Sequence, residues 1–471
     1  MIGHFINGEE RASRGGETFE TINPWTQQAE DTVAHGREAD VADAVAAARK
    51  AFDEGPWPQL SFDERGALLH RLADLIEANL EELARADSRD MGKPLAAAKK
   101  KDVPRSAQNF RFFADHARMS AAERFPMGAG HHAYTRYEPA GVVASIAPWN
   151  FPLMLETWKV APALAWGNTV VLKPAEDTPT SATLLGKLTA EAGFPPGVFN
   201  VVQGFGPESA GAFLTASPHI DRITFTGESA TGRRIGATAA KRLLPVSFEL
   251  GGKGANVVFA DADLDNAVAW SNKAIFTNAG QICLAGSRLY VERPIFDEFV
   301  ERFVASADAL VVGDPMNADT QIGPLASQAH FEKVAAFLHE PGGELLTGGV
   351  VDGRWQVRPT VIAHAPEDAR ICREEVFGPV VTISAFDGED EVVAKANASP
   401  YGLNAMLFTE NLSRAHRVSA RLRAGTVWVN CFFVRDLRAP FGGVGDSGLG
   451  REGGQYSKEF FTEPKAVVMQ L

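Results

Sequence analysis

Cys283 closes the stretch Phe276-Thr-Asn-Ala-Gly-Gln-Ile-Cys283 and is one of only 3 cysteines in the chain. Small and amide side chains surround it, so its sulfur is open to a substrate. As a thiolate it would attack an electrophilic carbon. Cys372 and Cys431 lie in Arg-Ile-Cys-Arg and Val-Asn-Cys-Phe-Phe, contexts without that signature. Alone, Cys283 says little, because most single cysteines in soluble proteins are small buried hydrophobes. Its meaning depends on what lies upstream.

Upstream, from Gly141, short apolar runs alternate with helical stretches: residues 142–147, 169–173, 198–202, 222–226 and 245–250. This alternation predicts a parallel sheet covered on both faces, with the ligand site beyond the carboxyl ends of its strands. Four of the five runs end in suggestive residues: Pro148-Trp149-Asn150, Lys173-Pro-Ala-Glu176, Gly204-Phe-Gly206 and Gly227-Glu228-Ser229. Gly204-x-Gly206 lacks the third glycine of a dinucleotide fingerprint and alone reads as a loop. A second alternating region runs from Asn256 to about Asn430 and holds Cys283. The glycine-rich stretch from Phe441 separates it from an expected terminal strand at 466–471, and 132–139 reads as an extra strand.

The amino-terminal part predicts a β-hairpin turning at Asn7-Gly8 and two helices. Asp40 is expected to cap a helix whose apolar face is Val41, Ala44, Val45, Ala48 and Phe52. Ser61-Phe-Asp-Glu64 is a capping box opening a long helix striped by Leu68, Leu69, Leu72, Leu75, Ile76, Leu80 and Leu83.

With 471 residues the chain exceeds one core and calls for two or three units. Hydrophobic content of 45% and charged content of 22% are ordinary for a globular protein. The net charge of −13 argues against nucleic-acid binding, while a local basic pocket can still admit anions. No run approaches a membrane span, and the first residues carry no charged leader ahead of a long apolar stretch. With so few cysteines, a cytoplasmic location is expected.

Seven motifs, in order, resemble the NAD(P)-dependent aldehyde dehydrogenase superfamily: Pro148-Trp-Asn150-Phe-Pro, Lys173-Pro-Ala-Glu176, Phe225-Thr-Gly227, Phe248-Glu249-Leu-Gly-Gly-Lys253, Gly280-Gln-Ile-Cys283, Glu375-Val-Phe377-Gly-Pro and Pro440-Phe-Gly-Gly. The resemblance spans essentially the whole chain. It implies that Cys283 attacks an aldehyde carbon to give a thiohemiacetal, with the Asn150 amide and the Cys283 backbone N–H stabilising the oxyanion. Hydride then passes to the nicotinamide, and Glu249 activates water to hydrolyse the resulting thioester. Without the resemblance, Asn150 reads as a turn residue and Glu249 as a strand-end carboxylate.

For the cofactor, the resemblance points to Trp149, Lys173, Glu176, Gly206, Phe225, Gly227, Glu228, Glu375 and Phe377. Glu176 would repel a 2′-phosphate, which favours NAD over NADP. Position 228 is Glu where many members have Ser. The extra carboxylate reinforces the NAD preference, yet could weaken pyrophosphate binding. No metal is expected.

The stretches around Glu228 and Val429-Asn-Cys-Phe-Phe-Val-Arg435 resemble the branch that oxidises ring-cleavage semialdehydes, including 2-hydroxymuconate, 2-aminomuconate and 5-carboxymethyl-2-hydroxymuconate semialdehydes. That branch binds the substrate carboxylate with two arginines, which match Arg105 and Arg435. Arg105 also reads as a solvated helix residue after the Lys99–Lys101 run, and Arg435 as a partner of Asp436 or a neighbouring Glu. Arg111 and Arg438 stand by should the match slip. Phe110, Phe112, Phe113, Trp158, Phe432 and Phe433 line either a channel for a flat chain or plain core.

The expected fold is α/β, with two doubly wound parallel-sheet domains and a small bridging β-sheet. Residues 1–120 and 140–250 form the dinucleotide-binding domain and 251–452 the catalytic domain. Residues 121–139 and 453–471 form the bridging element, through which a homodimer or homotetramer is expected. Competing readings are an aliphatic or betaine-type aldehyde dehydrogenase and a catalytically silent structural member. A coenzyme A-acylating enzyme is disfavoured because it would not need the base that Glu249 supplies.

Overall fold

Short apolar runs alternating with helices become neighbouring parallel strands in the computed structural model, which describes residues 1–471 other than Ala129, Asp352 and Leu471. The first sheet has eight strands. Its parallel centre runs Val246–Glu249, Arg222–Thr226, Val142–Ile146, Thr169–Lys173 and Phe199–Val201. Every residue of Val142–Ile146 and Thr169–Lys173 is buried, as expected for a sheet covered on both faces. Gly448–Leu449 closes one edge antiparallel to Val246–Glu249, and the hairpin His4–Ile6 with Glu9–Arg11 closes the other. Asn7 and Gly8 make its two-residue turn, both at positive φ (57° and 86°), the geometry that matches strand twist.

The second sheet has seven strands in the order Glu344–Val351, Gln356–Ala363, Val380–Phe386, Arg288–Glu292, Ala255–Val258, Asn404–Phe408 and Thr426–Val429. All its pairings are parallel except the hairpin joining the first two. A third, three-stranded sheet pairs Thr462–Gln470 with His131–Pro139 and that strand with Arg124–Phe125. The strand expected at 466–471 therefore begins earlier; Leu471 lies outside the described residues. A helix, Gly454–Phe461, stands between the glycine-rich stretch and this strand.

Two helix expectations change. Asp40 is not the cap: the backbone at Arg37 is still extended, and the helix Glu38–Asp53 starts right after it. Asp40 instead reaches back, accepting from the Arg37 N–H at 2.9 Å and the Arg14 N–H at 2.8 Å. The long leucine-striped helix is two, Phe62–Ala78 and Leu80–Met91. At Asn79 the side-chain amide donates to the Leu75 carbonyl at 2.8 Å, competing with the backbone for that acceptor. The capping box at Ser61 forms as expected.

In the first sheet, Thr169–Lys173 lies on one side of Val142–Ile146 and Arg222–Thr226 on the other, so the chain changes winding direction there. A crevice opens at such a point beyond the carboxyl ends of the strands. Into it lead Trp149 and Asn150, followed at once by the helix Pro152–Ala165, which has proline at its first position.

The fully buried Asn168 fastens this layer to the carboxyl-terminal helix. It accepts from the Gly141 N–H and donates to the carbonyls of Ala163 and Phe461, each at 2.9 Å. Asn168→Ala strands these groups without partners. Its chemical-denaturation curve is expected to show a stability loss of about 3 kcal/mol.

Candidate active site

Cys283 follows a one-turn segment, Thr277–Gly280, in which Asn278 (φ 56°) and Ala279 (φ 55°) take left-handed backbone. This doubled reversal carries the chain off the end of the helix Leu264–Phe276 and back towards Asn150. Asn278 Nδ2 donates to the Asn150 backbone carbonyl at 2.8 Å, and Asn150 Nδ2 donates to the Gln281 carbonyl at 2.9 Å. Lys93 Nζ, ion-paired with Asp102, also donates to the Asn150 carbonyl at 3.2 Å. The Asn150 amide is thus held two residues from Cys283 along the facing loop, with its second N–H uncommitted.

The Cys283 thiol is pushed up to about 12, by burial first, then by the charges of Glu375 and Glu249, while Arg435 pulls the other way. Cys283, Glu249, Glu375 and Arg435 therefore share one electrostatic locus. Glycines allow that convergence. A Cβ on Gly251 would collide with the Glu375 carboxylate, and one on Gly252 with the Cys283 carbonyl. With no side chain there, Glu375 Oε1 accepts from the Gly252 N–H at 2.8 Å.

Glu249 ends its strand beside Thr226, and its backbone carbonyl accepts from the Gly227 N–H at 3.1 Å. Both of its carboxylate oxygens are sealed from solvent without a hydrogen-bond partner. Burial, reinforced by Glu452, pushes this carboxyl well above the usual range, against the opposing charges of Lys159, Arg435 and Arg451. Glu452 is differently placed. Lys159 Nζ donates to its Oε1 at 2.8 Å and Trp158 Nε1 to its Oε2 at 2.6 Å. Lys159 and Glu452 were missed in the sequence. A lysine inside an apolar helix was the one available signal, and nothing local announces a partner 293 residues away.

On one side of Cys283 lie two adjoining cavities of about 340 and 380 Å³, which share Pro148, Trp149, Thr226, Gly227 and Glu228. Asn150, Cys283, Glu375 and Phe377 line the first; Lys173, Glu176, Gly206 and Phe225 line the second. All nine residues expected at the cofactor thus border one continuous crevice. Lys173 Nζ sits 3.3 Å from Glu176 Oε2, with the Glu176 side chain half exposed at the rim. Around Gly206 the space is open. A slot of apolar walls with a carboxylate at its outer end and backbone amides along it fits a dinucleotide. Glu228 faces Lys333 across the slot at 3.9 Å, so a countercharge accompanies the unusual carboxylate.

A further cavity of about 440 Å³, which Thr277 and Asn278 border, is lined by Phe151, Met154, Leu155, Trp158, Phe432 and Phe433, with Lys93, Arg105 and Arg435 among them. Arg105 Nε donates to Asn109 Oδ1 at 3.0 Å. The Arg435 guanidinium lies 3.7 Å from the Phe441 ring centre and 4.8 Å from that of Trp158. Its Nη2 is buried without a partner. Burial and the charge of Arg105 lower Arg435 to about 10, which leaves it cationic at neutral pH. Asp436 does not pair with it and binds Arg438 instead. Arg438 and Arg111 drop out as alternatives. Both are tied to surface carboxylates, Arg111 to Glu77 and Asp74. Phe110 and Phe113 are fully buried core, and Phe112 stacks on His116, so the channel expectation holds only for Trp158, Phe432 and Phe433.

Among the described residues no helix is long and apolar enough to cross a membrane, and no group of three His, Cys, Asp or Glu side chains is arranged to hold a metal ion. A model of the aldehyde dehydrogenase family matches residues 11–467. The chain is 50% identical, over 100% of its length and 99% of the relative's, to a 2-hydroxymuconic semialdehyde dehydrogenase of Pseudomonas sp. (strain CF600). It is 45% identical to a 2-aminomuconic 6-semialdehyde dehydrogenase of Pseudomonas sp., covering 99% of this chain and 98% of that one. Its fold superposes on an aldehyde dehydrogenase from Bacillus cereus, solved as an NAD+ complex, with a TM-score of 0.98 and 42% identity, covering 100% of this chain and 96% of that one.

Because the resting thiol is held near 12, alkylation of Cys283 by iodoacetamide is expected to be slow at pH 7 and to rise roughly tenfold per pH unit to about pH 10. Mass spectrometry of the Cys283 peptide reads this directly, and a plateau near neutrality would contradict it.

Proposed function

This chain belongs to the aldehyde dehydrogenase family, and we propose that it oxidises a carboxylate-bearing semialdehyde from aromatic-ring cleavage to the acid, with NAD as hydride acceptor. The observation that carries the substrate class is the buried Arg435 guanidinium, left without an acceptor at the end of an apolar cavity. A planar carboxylate supplies the acceptors that Arg435 lacks, and Arg105 doubles the charge that draws it in. Flat apolar walls suit the conjugated chain between carboxylate and aldehyde. A betaine-type substrate carries a positive charge and would be repelled by the same pair. The semialdehyde dehydrogenases similar to this chain support the reading.

In this mechanism the Cys283 proton passes to water in the crevice that Cys283 borders, and the sulfur bonds to the aldehyde carbon. The carbonyl oxygen becomes an oxyanion that takes the free N–H of Asn150 together with the Cys283 backbone N–H. NAD, when bound, supplies the hydride acceptor at this carbon. The thioester left on Cys283 is hydrolysed by water that Glu249 deprotonates, releasing the acid and restoring the thiol. A carboxyl of raised proton affinity is a stronger base, once ionised, than an ordinary one, and the charges of Lys159, Arg435 and Arg451 favour the ionised form. Lys173 and Glu176 hold the adenosine ribose, and Glu176 disfavours a 2′-phosphate. Trp149, Gly206, Phe225, Gly227 and Glu228 flank the nucleotide; Glu375 and Phe377 receive the nicotinamide end.

The first large sheet is read as the core of the cofactor domain, the second as that of the catalytic domain, and the three-stranded sheet as the bridging element, with Gly448–Leu449 crossing from the catalytic segment to the edge of the first sheet. Among the described residues the strand Thr462–Gln470 has its outer edge unpaired, with Val468 and Met469 exposed, and a dimer or tetramer forms through it. The protein acts in the cytoplasm.

Cys283→Ala is expected to abolish aldehyde-dependent NADH formation. In Glu249→Gln a single turnover should survive while steady-state turnover falls by roughly 10²–10⁴-fold, with thioester trapped on Cys283. Parent-level activity in Cys283→Ala ends the reading. For Arg435→Ala, kcat/KM for an acidic semialdehyde should drop roughly a hundredfold while that for a neutral aldehyde of similar length stays within a few fold. An unchanged ratio between the two substrates would remove the arginine clamp and leave the cysteine chemistry standing.

A further inference from the structure

His330 has no part in the chemistry above, yet it sits in the wall of the same crevice. It opens the helix Gln328–His339, with its backbone N–H on Ser327 Oγ at 3.4 Å and only 9% of it exposed. Its Nε2 donates to the carbonyl of Phe377 at 2.8 Å. Phe377 occupies the left-handed region at φ 60°, a conformation that a residue with a bulky side chain keeps only when its surroundings hold it there.

Three rings interlock around this hydrogen bond. The His330 ring lies 4.8 Å from Trp149 and 5.8 Å from Phe377, and Trp149 meets Phe377 edge-on at 5.3 Å and 90°. All three line the cavity that contains Asn150 and Cys283. The following residue, Gly378, places its carbonyl where a Cβ on Gly280 would collide, so the Phe377 turn also braces the loop leading to Cys283. Burial pushes the imidazole down to about 4, more than the Phe377 bond raises it, which keeps the ring neutral at working pH. A neutral ring has one N–H, and here Phe377 takes it.

We propose that His330 is a positioning residue for the cofactor: by bonding the Phe377 carbonyl it fixes the Phe377 and Trp149 rings as the wall that receives the nicotinamide end. The role rests on the reading of Phe377 as a cofactor contact. It needs a donor at the right reach, not a titrating group, so glutamine can supply it while phenylalanine keeps only the bulk.

The test compares His330→Gln, His330→Phe and Phe377→Ala by NAD binding, followed through quenching of intrinsic fluorescence, and by KM for NAD against kcat. His330→Phe is expected to weaken NAD binding roughly tenfold, with a smaller change in kcat, and His330→Gln to stay within about threefold of the parent. A thermal melt of each variant separates misfolding from this effect. If His330→Phe does not fold, His330→Met, which also lacks a donor, replaces it. Parent-like NAD binding in the donorless variant, alongside weakened binding in Phe377→Ala, overturns the role of His330 alone. A loss in His330→Gln as large as in His330→Phe overturns it too. Unchanged binding in Phe377→Ala instead removes the cofactor reading on which it rests.

Discussion

Two sheets built from distant halves of the chain meet at a reciprocal pair of amide hydrogen bonds. Asn150 donates to the Gln281 carbonyl, and Asn278 donates to the carbonyl of Asn150. The first residue belongs to the loop after a strand of one sheet, and the others to the segment leading into Cys283 beside the second sheet. Each sheet alone would leave its own loop in open solvent. Together, the loops place an amide donor and a thiol on the wall of one cavity, with the segment before Cys283 also reaching the arginine-lined cavity through Thr277 and Asn278. Lys93 strengthens the joint by donating to the same Asn150 carbonyl while neutralising Asp102. Buried bonds of this kind are expensive to break because their partners have no water to turn to.

Around that joint, carboxylates are sorted by environment. Glu452 has a lysine and an indole N–H on its oxygens, whereas Glu249, close enough to feel its charge, has nothing. Burial without a partner, beside the charge of Glu452, raises the proton affinity of Glu249, which suits the base role proposed for it. The same principle governs the thiol. Its burial and two acidic neighbours hold it protonated at rest, so reaction requires that proton to leave before the sulfur can bond to carbon.

The sequence was most legible where function is written into backbone geometry. The strand ends that carry Lys173 and Glu249 lie level with Ile146 and Thr226, from which the chain runs on to Asn150 and Gly227, because neighbouring parallel strands end on the same side of the sheet. Gly251 and Gly252 were visible as a motif, though the reason, close approach of Glu375 and Cys283, emerges only in three dimensions. Illegible were partnerships across long loops: Lys159 with Glu452, and His330 with Phe377. Local pattern also misled. The leucine stripe ran unbroken through Asn79, where one side-chain amide ends the helix. The phenylalanines of Val103–Arg118 mixed core and surface because successive residues on a helix face different ways.

Arg435 offers a test of what the fold is for. Stacked on Phe441 and Trp158, it gains dispersion and cation–π attraction, but not enough to offset a buried N–H left without an acceptor. Beside it Arg105 adds like charge. For folding alone, an apolar residue of similar size would be neutral or better, as it often is for buried charges. Places where a chain breaks a local rule without compensation in its own structure are places where the compensation comes from outside. The carboxylate of the proposed substrate is anionic and planar, and so supplies what Arg435 lacks in a cavity of about 440 Å³ walled by aromatic rings. Beside such apolar walls an ion pair weighs more than it does in water, which is what the proposed choice of an acidic aldehyde over a neutral one calls for.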